Sequence, residues 1–263
     1  MIKSDGTIES IRLWPSPTSS VVVKEITYWS GGYRVKGFLA YERRRHYRGG
    51  ILYLRGGIQS IGNVRPGRLT QFATKGYVVF APFYRGNRGG EGKDYFVGED
   101  RMDAVIAAYL LKRWIEDGPL HVIGYSRGGA VALALAAHPI PIQTIISWGG
   151  MTDIVATYKE RLDMRRMMKR LIGATPNKPS FYRSRYFLTD ALQTNARFLF
   201  IHGEQDRHVS LKQAEQAALF LEAHRKKVDR LYFPNETHAF SPPMNRSIVH
   251  YLTEVYFSRN SSD

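Results

Sequence analysis

Two β-rich runs, Val21–Trp29 and Tyr33–Tyr41, flank Ser30-Gly31-Gly32 and predict an antiparallel hairpin at the edge of a sheet. Beyond them the pattern changes. Short, near-continuous apolar runs recur at Ile51–Leu54, Tyr77–Ala81, His121–Gly124, Thr144–Trp148, Phe198–Ile201 and Leu231–Phe233. A strand with no polar face must be covered on both sides, which is the condition of a parallel sheet between helix layers. Helical spacing fills the intervals. Glu99–Ile115 sets Val105, Ala108, Leu111 and Trp114 on one face, and Gly129–Ala137 is small and apolar enough to lie close to a sheet. Lys212–His224 spaces Ala214, Ala217, Leu219 and Leu221 among charges, and Pro243–Phe257 predicts a last amphipathic helix capped by Ser241. Strand–helix alternation after an antiparallel start implies an α/β fold with a mostly parallel, doubly wound sheet.

One interval exceeds a single crossover. Between Gly149 and Ala196 the chain offers a basic helix around Ile154–Leu171 and a second stretch around Phe181–Thr194, interrupted by Pro176 and Pro179. An insertion after a strand's C-terminal end lies over the ligand crevice of such a sheet, so residues 150–196 are expected to form a small lid. At 263 residues the chain reads as one domain, 1–263. Residues 260–263 are polar and expected to fray.

Composition narrows the chemistry. There is no cysteine, which excludes disulfides, thiolate nucleophiles and cysteine-bound metals. The polar start and the lack of a long apolar run predict a cytoplasmic protein with no membrane partner. The net charge of +15 raises the question of polyanions. Its clusters, Arg43–Arg48, Arg165-Arg166 with Lys169-Arg170, and Arg225–Lys227, fall on a presumed hairpin tip and on or just after helices, where solvated faces explain them. No specific nucleic-acid partner is expected.

The sharpest motif is Gly124-Tyr125-Ser126-Arg127-Gly128-Gly129, between an apolar strand and a small-residue helix. In strand–turn–helix context G-x-S-x-G is a nucleophile elbow, which pushes the serine hydroxyl out at the sheet's C-terminal edge. Such a serine needs a base, and the base a carboxylate. In α/β-hydrolases both follow the nucleophile along the chain. The loop after Phe198–Ile201 carries Asp206, and the loop after Leu231–Phe233 carries His238. Both leave the same sheet edge as Ser126, so Ser126, His238 and Asp206 form the candidate triad. Glu204 is the rival acid, with His202 beneath the loop and His208 beside it; His121, His138, His224 and His250 lie away from this edge. The oxyanion donors are expected to be the backbone N–H groups of Arg127 and Gly57, with Ile58 the neighbouring choice. Glu99, Asp100 and Asp103 read as capping a helix, and Tyr84, Phe181, Tyr182 and Phe240 as pocket or core aromatics.

Together these residues resemble the catalytic domain of the prolyl oligopeptidase family of serine hydrolases. The resemblance runs from about Tyr33 to Phe240 through Leu54–Gly57, Phe83–Gly86, Glu99-Asp100 with Asp103, Gly124–Gly129, Trp148–Gly150 with Asp153, Tyr182–Arg185, His202–Asp206 with Val209, and Glu236–Phe240. It implies an α/β-hydrolase fold and the same Ser126, Asp206 and His238. Arg55 stands where members often have His, Ile58 where they often have Pro, and an oxyanion tyrosine has no clear counterpart, although Tyr53 is near. The family's β-propeller filter is absent from this sequence. The expected activity is cleavage of a small ester, or of a short peptide, through an acyl-enzyme, with no metal and no cofactor.

Overall fold

The computed structural model describes residues 4–43, 46–173, 182 and 184–259. Nine strands form one sheet: β1 (Ile8–Trp14), β2 (Val21–Ser30), β3 (Tyr33–Glu42), β4 (Gly49–Leu54), β5 (Tyr77–Pro82), β6 (Leu120–Tyr125), β7 (Ile142–Trp148), β8 (Arg197–Gly203) and β9 (Val228–Phe233). Their order is β1-β2-β3-β5-β4-β6-β7-β8-β9. The first three pairs, β1–β2, β2–β3 and β3–β5, are antiparallel, and from β5 onward every pair is parallel. The C-terminal ends of β4, β6, β7, β8 and β9 therefore open on one edge.

Alternation within each strand feeds two cores. Leu52, Leu54, Val78, Phe80 and Val122 meet α2 (Arg101–Ile115), α3 (Arg127–Ala134) and α6 (Leu211–Ala223). Ile51, Tyr53, Val79, Ala81 and Ile123 meet α1 (Pro66–Ala73) and α7 (Pro242–Tyr251) with the turn that follows it. His121 belongs to the second core. It stacks on Phe257 at 3.8 Å between ring centres, its Nδ1 lies 2.9 Å from the Thr144 hydroxyl, and burial pushes its pKa down to about 3.

The antiparallel β2–β3 hairpin stands in the edge portion of the sheet as expected, with β1 added outside it; residues 9–13 of β1 are exposed, so it has little apolar stripe to betray it. Several other expectations are corrected. Helix α1 opens with Pro66-Gly67, which reads as turn chemistry. β3 and β4, which flank the Arg43–Arg48 cluster, are not neighbours in the sheet and so form no hairpin, and Arg48 bonds Glu254 (3.0 Å) and the Thr253 carbonyl (2.5 Å). Ser241 makes no cap bond; its hydroxyl and N–H both go to the Glu236 carboxylate (2.7 Å each). The basic helix is two helices, α4 (Ile154–Glu160) and α5 (Arg165–Ile172), joined through a single turn at Leu162–Met164. This insertion has its own apolar cluster, including Met151, Ile154, Met168 and Tyr182, which gathers around Phe96 with Ile58 against it. The expectations for Arg44, Arg45, Pro176, Pro179, Phe181, Arg183 and residues 260–263 lie outside the described residues.

The elbow depends on close backbone approach. A Cβ on Gly124 would overlap the Gly128 carbonyl, one on Gly128 would overlap the Leu54 carbonyl, and one on Gly129 would lie 2.7 Å from Gly150 Cα. Because those neighbours are backbone, they have little freedom to yield. Gly128→Ala is expected to cost about 3 kcal/mol of stability, measurable as a lower denaturation midpoint with an unchanged denaturant slope.

Candidate active site

Ser126 sits between β6 and α3 at φ 55°, ψ −123°. Such a conformation costs roughly 1–3 kcal/mol for a non-glycine residue and persists only where its surroundings enforce it. Here they do. Its N–H donates to the Trp148 carbonyl (3.2 Å), and its carbonyl accepts from the N–H groups of Gly129 and Met151 (2.9 Å each). Gly56 closes the other side: a Cβ there would lie 2.6 Å from Ser126 Cβ and 3.2 Å from Oγ.

Across the edge, His238 Nδ1 is 2.7 Å from Asp206 Oδ2. The second carboxylate oxygen accepts from the N–H groups of His208 (2.7 Å) and Val209 (3.0 Å). Burial disfavours the Asp206 anion, but hydrogen bonds from His202 and His238 and from the Val209 N–H outweigh it. The carboxyl is held well below the usual carboxylate range. Its contribution to stability is thus present above the ordinary carboxylate pKa and is lost as the pH falls into the acid range. His202 lies under the loop as expected, with Nε2 2.9 Å from the Val209 carbonyl, yet it also comes within 3.3 Å of Asp206 Oδ2. Glu204 is exposed, and the carboxylate on His238 is that of Asp206.

The residue before Ser126 reaches His238: the Tyr125 hydroxyl donates to the His238 carbonyl (2.9 Å), and its ring lies 5.1 Å from the imidazole. Among the described residues no hydrogen bond joins the Ser126 hydroxyl to His238; in unliganded enzymes this bond is often long and tightens when substrate binds. Gly149, at φ 51°, leaves the space the relay needs: a Cβ there would lie 3.3 Å from His238 Nδ1 and 3.5 Å from Asp206 Oδ2. The Trp148-Gly-Gly sequence is the only trace of this requirement.

The two candidate oxyanion N–H groups lie on segments that meet where Gly56 packs on Ser126. That of Arg127 opens α3, and that of Gly57 lies in the loop after β4; among the described residues neither donates to a backbone carbonyl. Arg55 organises the second loop from inside. Fully buried, it donates to the carbonyls of Gln59 (3.0 Å), Ile61 (2.5 Å), Gly62 (3.1 Å) and Phe83 (3.3 Å). Burial, then the nearby Arg127, pushes its pKa down to about 10.

Behind the elbow lies a buried charge network that sequence reasoning missed. The Arg127 side chain, 1% exposed, bonds both oxygens of Asp94 (2.6 and 2.8 Å) and lies over the rings of Tyr84 and Phe96. Asp100 does not cap α2. Its carboxylate accepts from the N–H groups of Tyr95, Val97 and Gly98, 4.0 Å from Arg127. Asp103 pairs with Arg85 (2.7 Å) and the Ser30 hydroxyl (2.7 Å). Tyr84 and Tyr182 are core residues, not pocket lining, and Phe240 packs on Trp148. A helix-cap pattern and a buried ion-pair pattern share the same residue types, and only burial separates them.

A family model for the prolyl oligopeptidase family matches residues 64–262. The chain belongs to this family. Membership makes it a serine hydrolase, and the match leaves β1–β4 and the Gly56-Gly57 loop outside it. A Bacillus subtilis (strain 168) protein described as uncharacterized peptidase YtmA is 45% identical over 247 residues, covering 92% of this chain and 96% of its own. Two solved structures share the α/β-hydrolase fold. An acetyl xylan esterase from Paenibacillus sp. R4 aligns with TM-score 0.73 at 16% identity over 94% of this chain and 88% of its own. The acylaminoacyl peptidase of Pyrococcus horikoshii aligns with TM-score 0.73 at 18% identity over 91% of this chain and 48% of its own. Among the described residues no helix is long and apolar enough to cross a membrane, and no group of three or more His, Asp or Glu could hold a metal ion.

Removing one partner of a buried ion pair strands the other charge, at a cost of about 3–5 kcal/mol. Asp94→Ala should therefore destabilise the fold by that amount in denaturant titration, whereas alanine at exposed Asp163, whose partner Arg161 stays near solvent, should change it by less than about 1 kcal/mol.

Proposed function

We propose that the protein hydrolyses small carboxylic esters through an acyl-enzyme on Ser126. His238 Nε2 takes the hydroxyl proton as Oγ attacks the carbonyl carbon, while Nδ1–H stays on Asp206, which fixes the tautomer. The N–H groups of Arg127 and Gly57 receive the tetrahedral oxyanion, and His238 then protonates the departing alcohol. Water repeats the sequence to free the acid. The observation that carries this reading is the 2.7 Å His238–Asp206 contact beside a strained serine elbow.

A peptidase reading is the second. It is favoured by the family and by the Bacillus relative, described as a peptidase. Against it, a peptide amine would want carboxylates in the crevice, and Asp100 and Asp103 are buried and engaged with backbone N–H groups and Arg85. The expected substrate is accordingly a small ester, with a short peptide the alternative.

Short-chain nitrophenyl esters are expected to turn over faster than aminoacyl nitroanilides. Ser126→Ala should lose on the order of 10³-fold or more in kcat along with labelling by a fluorophosphonate. Ester turnover that survives this substitution would remove Ser126 from the mechanism, and faster anilide cleavage would select the peptidase.

A further inference from the structure

The insertion between β7 and β8 reaches the acid loop through Arg161. Arg161 ends α4 outside helical geometry (φ −106°, ψ 82°), and its guanidinium reaches the acid loop. Nη1 donates to His208 Nδ1 (3.1 Å) and to the His208 carbonyl (3.2 Å), while Nε and Nη2 hold Asp163 (2.9 and 2.6 Å). The His208 ring lies 5.0 Å from that of His238, tilted by 35°. The backbone N–H of His208 donates to Asp206 Oδ1. This residue thus sets its imidazole beside that of His238, with its backbone held by the relay's acid and its ring by the insertion.

We propose that His208, oriented and kept uncharged by Arg161, is a positioning residue for His238. The proposal rests on His238 being the general base. An arginine has no lone pair to accept with, so the bond to Nδ1 requires an unprotonated nitrogen there. His208 is then the neutral Nε2–H tautomer, and its ring presents an uncharged π face to His238. That matters when the proton of Ser126 arrives, because His238 becomes an imidazolium. A neutral aromatic ring at this distance favours the cation, whereas a protonated one repels it.

The charged groups around His208 act in the same sense. Burial, then His238 and Arg161, lower its pKa, and Asp206 and Asp163 only partly offset them. The insertion therefore contributes more than a cover: its arginine keeps a second titratable ring out of the reaction.

The test is the pH profile of kcat/KM on a short-chain nitrophenyl ester. Without the guanidinium, His208 gains proton affinity. Arg161→Met should therefore move the acid limb to higher pH and steepen it towards a two-proton dependence, with kcat at neutral pH falling about tenfold and KM little changed. His208→Asn, whose side-chain oxygen can replace Nδ1 as acceptor but does not titrate, should lose less than His208→Ala. The double variant Arg161→Met with His208→Asn should return the limb to one proton at its original position. An unmoved limb in Arg161→Met, or a shifted limb that persists in the double variant, overturns the proposal. Either result leaves the relay itself intact, since that stands or falls with Ser126→Ala.

Discussion

A serine held at φ 55°, ψ −123° is the constraint on which the rest of the site depends. The conformation is unfavourable in isolation, so β6, α3 and the turn after β7 must meet closely enough to enforce it. Glycines at 124, 128 and 129 permit that approach, and hydrogen bonds from Gly129 and Met151 to the Ser126 carbonyl fix the result. The strain has a use. It places the hydroxyl beyond the sheet's edge and leaves the next N–H at the start of a helix, where the dipole favours negative charge.

The position after Ser126 carries a second demand. The side chain of Arg127 is buried, and a buried guanidinium is costly unless paired. Asp94 pairs with it, Tyr84 and Phe96 cover its faces, and Asp100 adds negative charge nearby. The loop that supplies Asp94, Phe96 and Asp100 is in turn tied to its own backbone by the two carboxylates. On the far side Arg55 does similar work for the Gly56–Gly62 loop through backbone carbonyls. Arg55 thus braces the loop that carries the candidate donor Gly57, and Arg127, itself the other candidate, is tied to the 94–100 loop behind it.

Much of this was legible in the chain. Doubly apolar runs marked β4 to β8, because a strand covered on both faces cannot hide its composition. The glycine spacing around Ser126 marked the elbow, because only glycine tolerates that proximity. Asp206 and His238 followed from their places after consecutive strands, since parallel topology sends every such loop to one edge. Those are consequences of local pattern and chain order.

What the sequence left undetermined depends on distance between residues far apart along it. An acid near a helix start can cap that helix or pair with a buried arginine; Asp100 and Asp103 do the latter because Arg127 and Arg85 come from other loops. Exposed β1 has no buried face and so no signature, although it completes the sheet. The basic stretch read as one helix breaks at Arg161, where bonds to His208 and Asp163 accompany non-helical geometry. The amino-acid order determined which elements form and which edge carries the chemistry. Tertiary packing alone decided which charges are buried, because burial is a property of neighbours that the order of residues does not name.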